Sequence, residues 1–139
     1  MQSSLKEILE TIKGNRPGKI WLLLNVSGRR KAFPTFEDIE EGLRGLTDSP
    51  DSFLVYKRFP ILNGCIYLQS ALPAKGYDDG LGYLVEIRLS KNEGFHQYRM
   101  RTTSIDEVIG IFADFYIMEQ LPDVTAWEEI PALFEGFPL

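Results

Sequence analysis

Few residues in this chain are of a type that does chemistry. His96 is the only histidine, and imidazole is the side chain best suited to move protons near neutral pH. It lies between Phe95 and Gln97, and no motif places a serine or cysteine nucleophile with it, so it reads as a structural strand residue. Cys65, the only cysteine, follows Asn63-Gly64 at a strand start and reads as a small packing residue. Imidazole and thiolate ligands are too few for a transition-metal site, so neither metal nor cofactor is expected. The run from Gly76 to Gly82 carries Asp78 and Asp79 between glycines. It lacks the Gly-Lys-Ser/Thr ending and following helix of a phosphate loop, and two adjacent carboxylates fall short of a calcium loop. Its reading is a solvated loop tip, with Asp78 and Asp79 as candidate partner contacts.

Charge is the more informative pattern. The net charge is −5 over 139 residues. All 15 Lys and Arg lie in residues 1–101, with 12 of the 20 acids; residues 102–139 hold the other 8 acids and no Lys or Arg. A merely solvated surface mixes signs, so this acidic C-terminal segment is the candidate contact region: Asp114, Glu119, Asp123, Glu128 and Glu129. Neutralising these acids is expected to spare the fold. Arg29-Arg30-Lys31 is a basic cluster, but the acidic total disfavours nucleic acid. Its expected role is to pair with the C-terminal acids, as is that of Arg88, Arg99 and Arg101. Glu37, Asp38, Glu40 and Glu41 read as a solvated helix face.

The elements that hold these residues follow from periodicity. Tyr83, Val85, Ile87 and Leu89 alternate with Leu84, Glu86 and Arg88, and His96, Tyr98 and Met100 with Gln97, Arg99 and Arg101. With turn chemistry at Lys91 to Gly94, this predicts an antiparallel hairpin with one wet face. Ser104-Ile-Asp-Glu107 reads as a capping box. The helix it opens buries Ile105, Val108, Ile109, Phe112 and Tyr116, widened by Ile111, Phe115 and Met118, and ends before Pro122. Upstream, the pattern predicts an amphipathic helix from Ser4 to Lys13 and a strand from Ile20 to Val26 covered on both faces. Ser27-Gly28 is a tight turn, and a helix spans Phe36 to Leu43. A strand from Phe53 to Ile61 has an edge or bulge at Pro60, and Asn63-Gly64 is a hairpin turn into Cys65 to Ser70. Thr125 is expected to cap a short helix through Ile130, and the apolar tail Gly136 to Leu139 to pack down.

The expected fold is α+β, one domain over 1–139, with a mostly antiparallel meander packed by a long C-terminal helix and shorter helices. Composition is ordinary for a globular domain, with 44% hydrophobic and 25% charged residues. No apolar run is long enough to span a bilayer. The N-terminal residues show no signal pattern, and the lone cysteine fits a reducing compartment, so a cytoplasmic location is expected.

The pattern Phe112-Ala-Asp-Phe115-Tyr116, Leu121-Pro122-Asp123 and Trp127-Glu-Glu-Ile130, with the early Trp21-Leu22-Leu23-Leu24-Asn25, resembles small acidic immunity proteins of bacterial polymorphic-toxin and contact-dependent-inhibition systems. The resemblance covers about half the chain. It implies a non-enzymatic protein that binds and blocks a cognate basic toxin through an acidic surface, with no catalytic residues. Two other readings stand beside it: a small oligomeric domain using exposed aromatics as a self-interface, and a ligand-binding or enzymatic domain with a pocket around His96, Tyr98 and the Asp78 loop.

Overall fold

The computed structural model describes residues 20–72, 82–92 and 94–131. Its elements are β1 (Trp21–Val26), β2 (Arg29–Ala32), α1 (Phe36–Arg44), β3 (Leu54–Phe59), β4 (Cys65–Ala71), β5 (Tyr83–Lys91), β6 (Gly94–Thr102), α2 (Ile105–Met118) and β7 (Glu128–Ile130). They build one seven-stranded sheet of order β2-β1-β3-β4-β5-β6-β7, with every neighbouring pair antiparallel. This is the expected α+β architecture, with β3 to β6 as the meander. The expected Ser4–Lys13 helix, the loop carrying Asp78 and Asp79, and the tail from Gly136 lie outside the described residues.

Three tight turns set the registers. Ser27 and Gly28 have φ of 52° and 93°, and Asn63 and Gly64 of 50° and 82°. At Ser27-Gly28 these positive values are what a two-residue hairpin with right-handed strand twist requires; Asn63-Gly64 instead forms a turn within the longer β3–β4 connection, where the Cys65 N–H donates to the Leu62 carbonyl at 2.9 Å. Gly64 has a second constraint: a Cβ there would stand 2.6 Å from the Ser90 carbonyl oxygen. Lys91 pairs with Gly94, and Asn92, not the glycine, takes the left-handed conformation at φ 53°. Pro60 makes neither an edge nor a bulge in β3. That strand lies between β1 and β4, and Pro60 follows its last residue, where no ladder donor is needed. The irregularity sits in β4, between Cys65 and Tyr67.

Both helices pack on one face of the sheet. Ile39 and Leu43 of α1 and Val108, Phe112 and Phe115 of α2 meet Leu24, Leu54, Tyr56, Leu68, Val85 and Ile87 in one buried cluster. The helices run antiparallel. Phe36 at the start of α1 stacks 5.7 Å from Tyr116 near the end of α2, while Arg44 at the end of α1 reaches Asp106 at the start of α2. Gly42 lets α1 press close, since a Cβ there would lie 2.6 Å from Leu54 Cδ1.

The caps are partly as expected. Ser104 Oγ accepts from the Glu107 N–H at 3.1 Å, but the Glu107 carboxylate does not reach back to the cap. It accepts from Thr102 Oγ1, which in turn accepts from the Ser104 N–H. The reciprocal capping box is found on α1, between Thr35 and Asp38.

Three further expectations are overturned. Met118 is 65% exposed, because the last turn of α2 reaches the end of the sheet, level with Arg58. Residues Thr125 to Ile130 do not form a helix. The Asp123 carboxylate ties Thr125 into a turn, and Glu128–Ile130 becomes β7 on the edge of β6. One or two isolated helical turns carry the full nucleation cost, whereas an unpaired strand edge offers ladder partners at once. Finally, the polar side of the β5–β6 hairpin is not wet. Glu86, Arg88 and Gln97 are all buried.

Phe112 is fully buried at the centre of the cluster. Phe112→Ala is expected to cost about 3–5 kcal/mol by lost transfer energy and a residual cavity, read as a fall in the denaturant midpoint at unchanged slope.

Candidate binding surfaces

The second face of the sheet carries a buried polar network set by register. Gln69 is paired with Glu86, and Glu86 with Arg99; Tyr67 is paired with Arg88, and Arg88 with Gln97. Glu86, 4% exposed, accepts from Gln97 Nε2 at 2.7 Å, Gln69 Nε2 at 3.2 Å and Arg99 Nε at 2.8 Å, and Arg99 closes the ion pair at 2.7 Å. Arg88 and the Tyr67 hydroxyl both donate to Gln97 Oε1, and the Arg88 guanidinium lies over the Phe95 ring at 4.7 Å. Burial pushes the Tyr67 hydroxyl pKa up, and Arg88 works against that rise. Among the described residues, Gln69 Oε1 and Trp21 Nε1 on this face are buried without a hydrogen-bond partner. Arg88 and Arg99 are thus engaged within the hairpin rather than by the C-terminal acids.

The opposite edge is basic. β2 is the edge strand, and Arg29, Arg30 and Lys31 line a cleft of about 550 Å³ between β2 and α1, with Leu24, Val26 and Gly42 on its floor and Asp38 and Glu41 across it. The partner of Lys31 is Asp38 of α1, at 2.9 Å, not a C-terminal acid. That hydrogen-bonded ammonium holds the Asp38 carboxyl below the usual carboxylate range. Lys57, on the neighbouring sheet face, has its pKa lowered by burial and then by the charge of Arg30.

The fold redistributes the acids. Asp114 lies exposed on the outer side of α2, in line with Asp106 and the exposed Gly110. Glu119 is spent on Arg58 at 2.9 Å, Glu129 on His96 at 2.9 Å, and Asp123 on the Thr125 turn. Glu128 stands on β7 opposite Arg99. The five expected contact acids therefore do not form one patch of their own. What sequence order concealed is that α1 packs beside α2. Together the two helices carry Glu37, Asp38, Glu40, Glu41, Asp106, Glu107 and Asp114 against the single base Arg44. The acids of α1 belong to the acidic surface. Only their pairing with α2, a long-range contact, could have shown that.

His96 is held by Glu129 across the β6–β7 ladder, and Cys65 is buried, its thiol pKa pushed up to about 12 by desolvation. Among the described residues no group of three or more metal-ligating side chains is assembled, and no helix is long and apolar enough to cross a membrane. Comparison with protein-family models, curated proteins and solved structures finds no match to this chain.

Glu119 differs from the other acids expected to be dispensable to the fold in being ion-paired to a buried arginine. It ends α2 in the left-handed conformation at φ 56°, a strain of about 1–2 kcal/mol for a residue with a Cβ. Its carboxylate pairs with Nη1 of Arg58, whose side chain is only 10% exposed; among the described residues the Arg58 Nε is buried without a hydrogen-bond partner even with that pair in place. Glu119→Ala is expected to cost about 1–3 kcal/mol, the penalty of an unsatisfied buried donor. Glu119→Gly removes the same pair but relieves the backbone, so it should cost less than Glu119→Ala by about 1–2 kcal/mol. Denaturant melts of both variants check this.

Proposed function

We propose that this protein is a non-enzymatic binding domain, of the immunity type its sequence resembles, that docks a basic protein partner on the outer layer formed by α1 and α2. The observation that carries the reading is the side-by-side packing of two helices whose own residues are seven acids and one base; Asp38 and Glu41 face the basic β2 edge, where Lys31 pairs with Asp38, and Glu37, Glu40, Asp106, Glu107 and Asp114 are the acids left to a partner. A surface of one sign steers an oppositely charged partner and fixes its orientation. Arg44 does not neutralise the layer, because it serves Glu40 at 3.1 Å and Asp106 at 3.8 Å at one end only.

Gly110 supports the same surface. It sits in the middle of α2 between Asp106 and Asp114, and a Cβ there would meet nothing within 4 Å. A helix-interior glycine costs about 0.5–1 kcal/mol relative to alanine, and among the described residues no neighbour requires it. A bare stretch of backbone between two carboxylates lets a partner come closer than any side chain would.

The triple variant Glu37→Gln, Glu40→Gln, Asp114→Asn tests this. Each loses at most an exposed pair or a helix-end interaction, about 0.3–1 kcal/mol, so the melt should move little. Association with the partner captured from the native host should slow about tenfold or more at low salt and converge with the parent at high salt. Equal association rates at both ionic strengths would remove the acidic layer from the function.

A further inference from the structure

The cleft of about 550 Å³ between β2 and α1 has walls of opposite sign. Alternation along β2 puts Arg29 and Lys31 on the helix side of the sheet, because their ladder partners Val26 and Leu24 face the helices. Arg30 turns to the other side, near Lys57. On α1, Asp38, Glu41, Gly42 and Gly45 follow one another at i, i+3, i+4 and i+7, which is a single stripe of a helix. That stripe is the second wall, and Leu24, Val26 and Leu46 give the cleft its apolar surface.

The walls meet at one end only. Lys31 closes on Asp38 at 2.9 Å. Two residues away on β2, Arg29 lies at the level of Gly42. Its ladder partner is Val26, and a Cβ on Gly42 would stand 3.1 Å from Val26 Cγ2. Glu41 adjoins Gly42, so Arg29 and Glu41 flank the same stretch of the cleft. Both are exposed, and among the described residues no ion pair joins them or engages either one. Arg44, the base of α1, serves Glu40 and Asp106 instead. The chain therefore satisfies the cleft at Lys31–Asp38 and leaves the next pair of facing charges apart.

The order of charge selects the ligand. An anion on Arg29 alone would face Glu41 across the cleft, and a cation on Glu41 alone would face Arg29. A molecule carrying both signs satisfies the two walls at once. The orientation is set by α1. Gly42 and Gly45 have no side chains, so the last turn of the helix presents its backbone to the cleft, and the carbonyl end of a helix favours positive charge. An ammonium group belongs there beside Glu41, and a carboxylate belongs on the Arg29 guanidinium, whose forked donors match it. An apolar body then rests on Leu24, Val26 and Leu46. The volume is within the range of small-molecule sites, about 300–1,000 Å³.

We infer that the open end of this cleft binds a small zwitterion with an apolar side chain, either an amino acid or a short peptide with both ends free. Its binding groups, Arg29 and Glu41, are not among the acids left to a protein partner on the outer layer, so the two readings succeed or fail separately.

Titration of the full chain with L-leucine and with L-leucyl-L-leucine, followed by backbone amide NMR, tests the inference. Shifts should concentrate at residues 29–31 and 41–46 and saturate with Kd of about 1 mM or tighter. Tighter binding of the dipeptide identifies a peptide ligand, and equal or tighter binding of leucine identifies the amino acid. N-acetyl-leucine lacks the ammonium and leucinamide lacks the carboxylate, and each should bind about tenfold or more weakly. Arg29→Gln and Glu41→Gln should weaken leucine binding similarly, while their melting temperatures stay at the parent value because both side chains are exposed. No saturating shift from either zwitterion up to about 10 mM overturns the proposal. So does equal binding of the blocked analogues, or binding that is indifferent to both substitutions. Inorganic phosphate producing the same shifts as leucine would also overturn it, by showing a simple anion site on β2.

Discussion

A carboxylate that is nearly out of water must be met by donors on every side, and Glu86 imposes that condition on the middle of the sheet. Its donors come from three strands: Gln69 from β4, Gln97 and Arg99 from β6. They reach it only if β4, β5 and β6 keep one register. A slip of a single residue in β6 would turn Arg99 to the other face and leave the charge unpaired. The same register points Val85, Ile87, Tyr98 and Met100 toward the helices. Replacing such a buried pair with apolar residues is often neutral in stability. Its contribution here is to exclude neighbouring registers, because each slip would bury an unpaired charge and expose the core.

Much of this was legible in sequence because it is local. Period-two alternation, the Asn63-Gly64 turn and the Ser104 cap each depend on a few adjacent residues, and each appears where expected. The register of the β5–β6 hairpin was also within reach, since Lys91 opposite Gly94 places Glu86 opposite Arg99. What alternation does not encode is whether a polar strand face meets water. Glu86, Arg88 and Gln97 have the residue types of a wet face, and only the completed fold shows them buried. The segment after Pro122 failed for a different reason. Thr125 to Ile130 has helix-like local signals, but the open edge of β6 is a tertiary partner that no local signal reports.

The candidate surface was half legible. The acidic excess after residue 101 is a property of order along the chain, whereas a partner meets charge in space. Folding spends Glu119 and Glu129 on Arg58 and His96 and adds four acids from α1 that lie some seventy residues away from α2 in sequence. The basic run at Arg29 moves likewise, toward Asp38 of α1. Net charge survives folding; the pattern that determines steering does not.

Among the described residues the sheet is not closed into a barrel and has β2 and β7 as its edge strands, and such edges are the usual hazard for unwanted pairing. β2 has four residues, three of them Arg or Lys, and β7 has three, two of them Glu. Both are short and charged, so like edges repel. Ladder addition between like edges is thereby disfavoured, and among the described residues the helix layer is the surface of one sign. A one-sign layer cannot pair with itself but suits a partner of opposite charge.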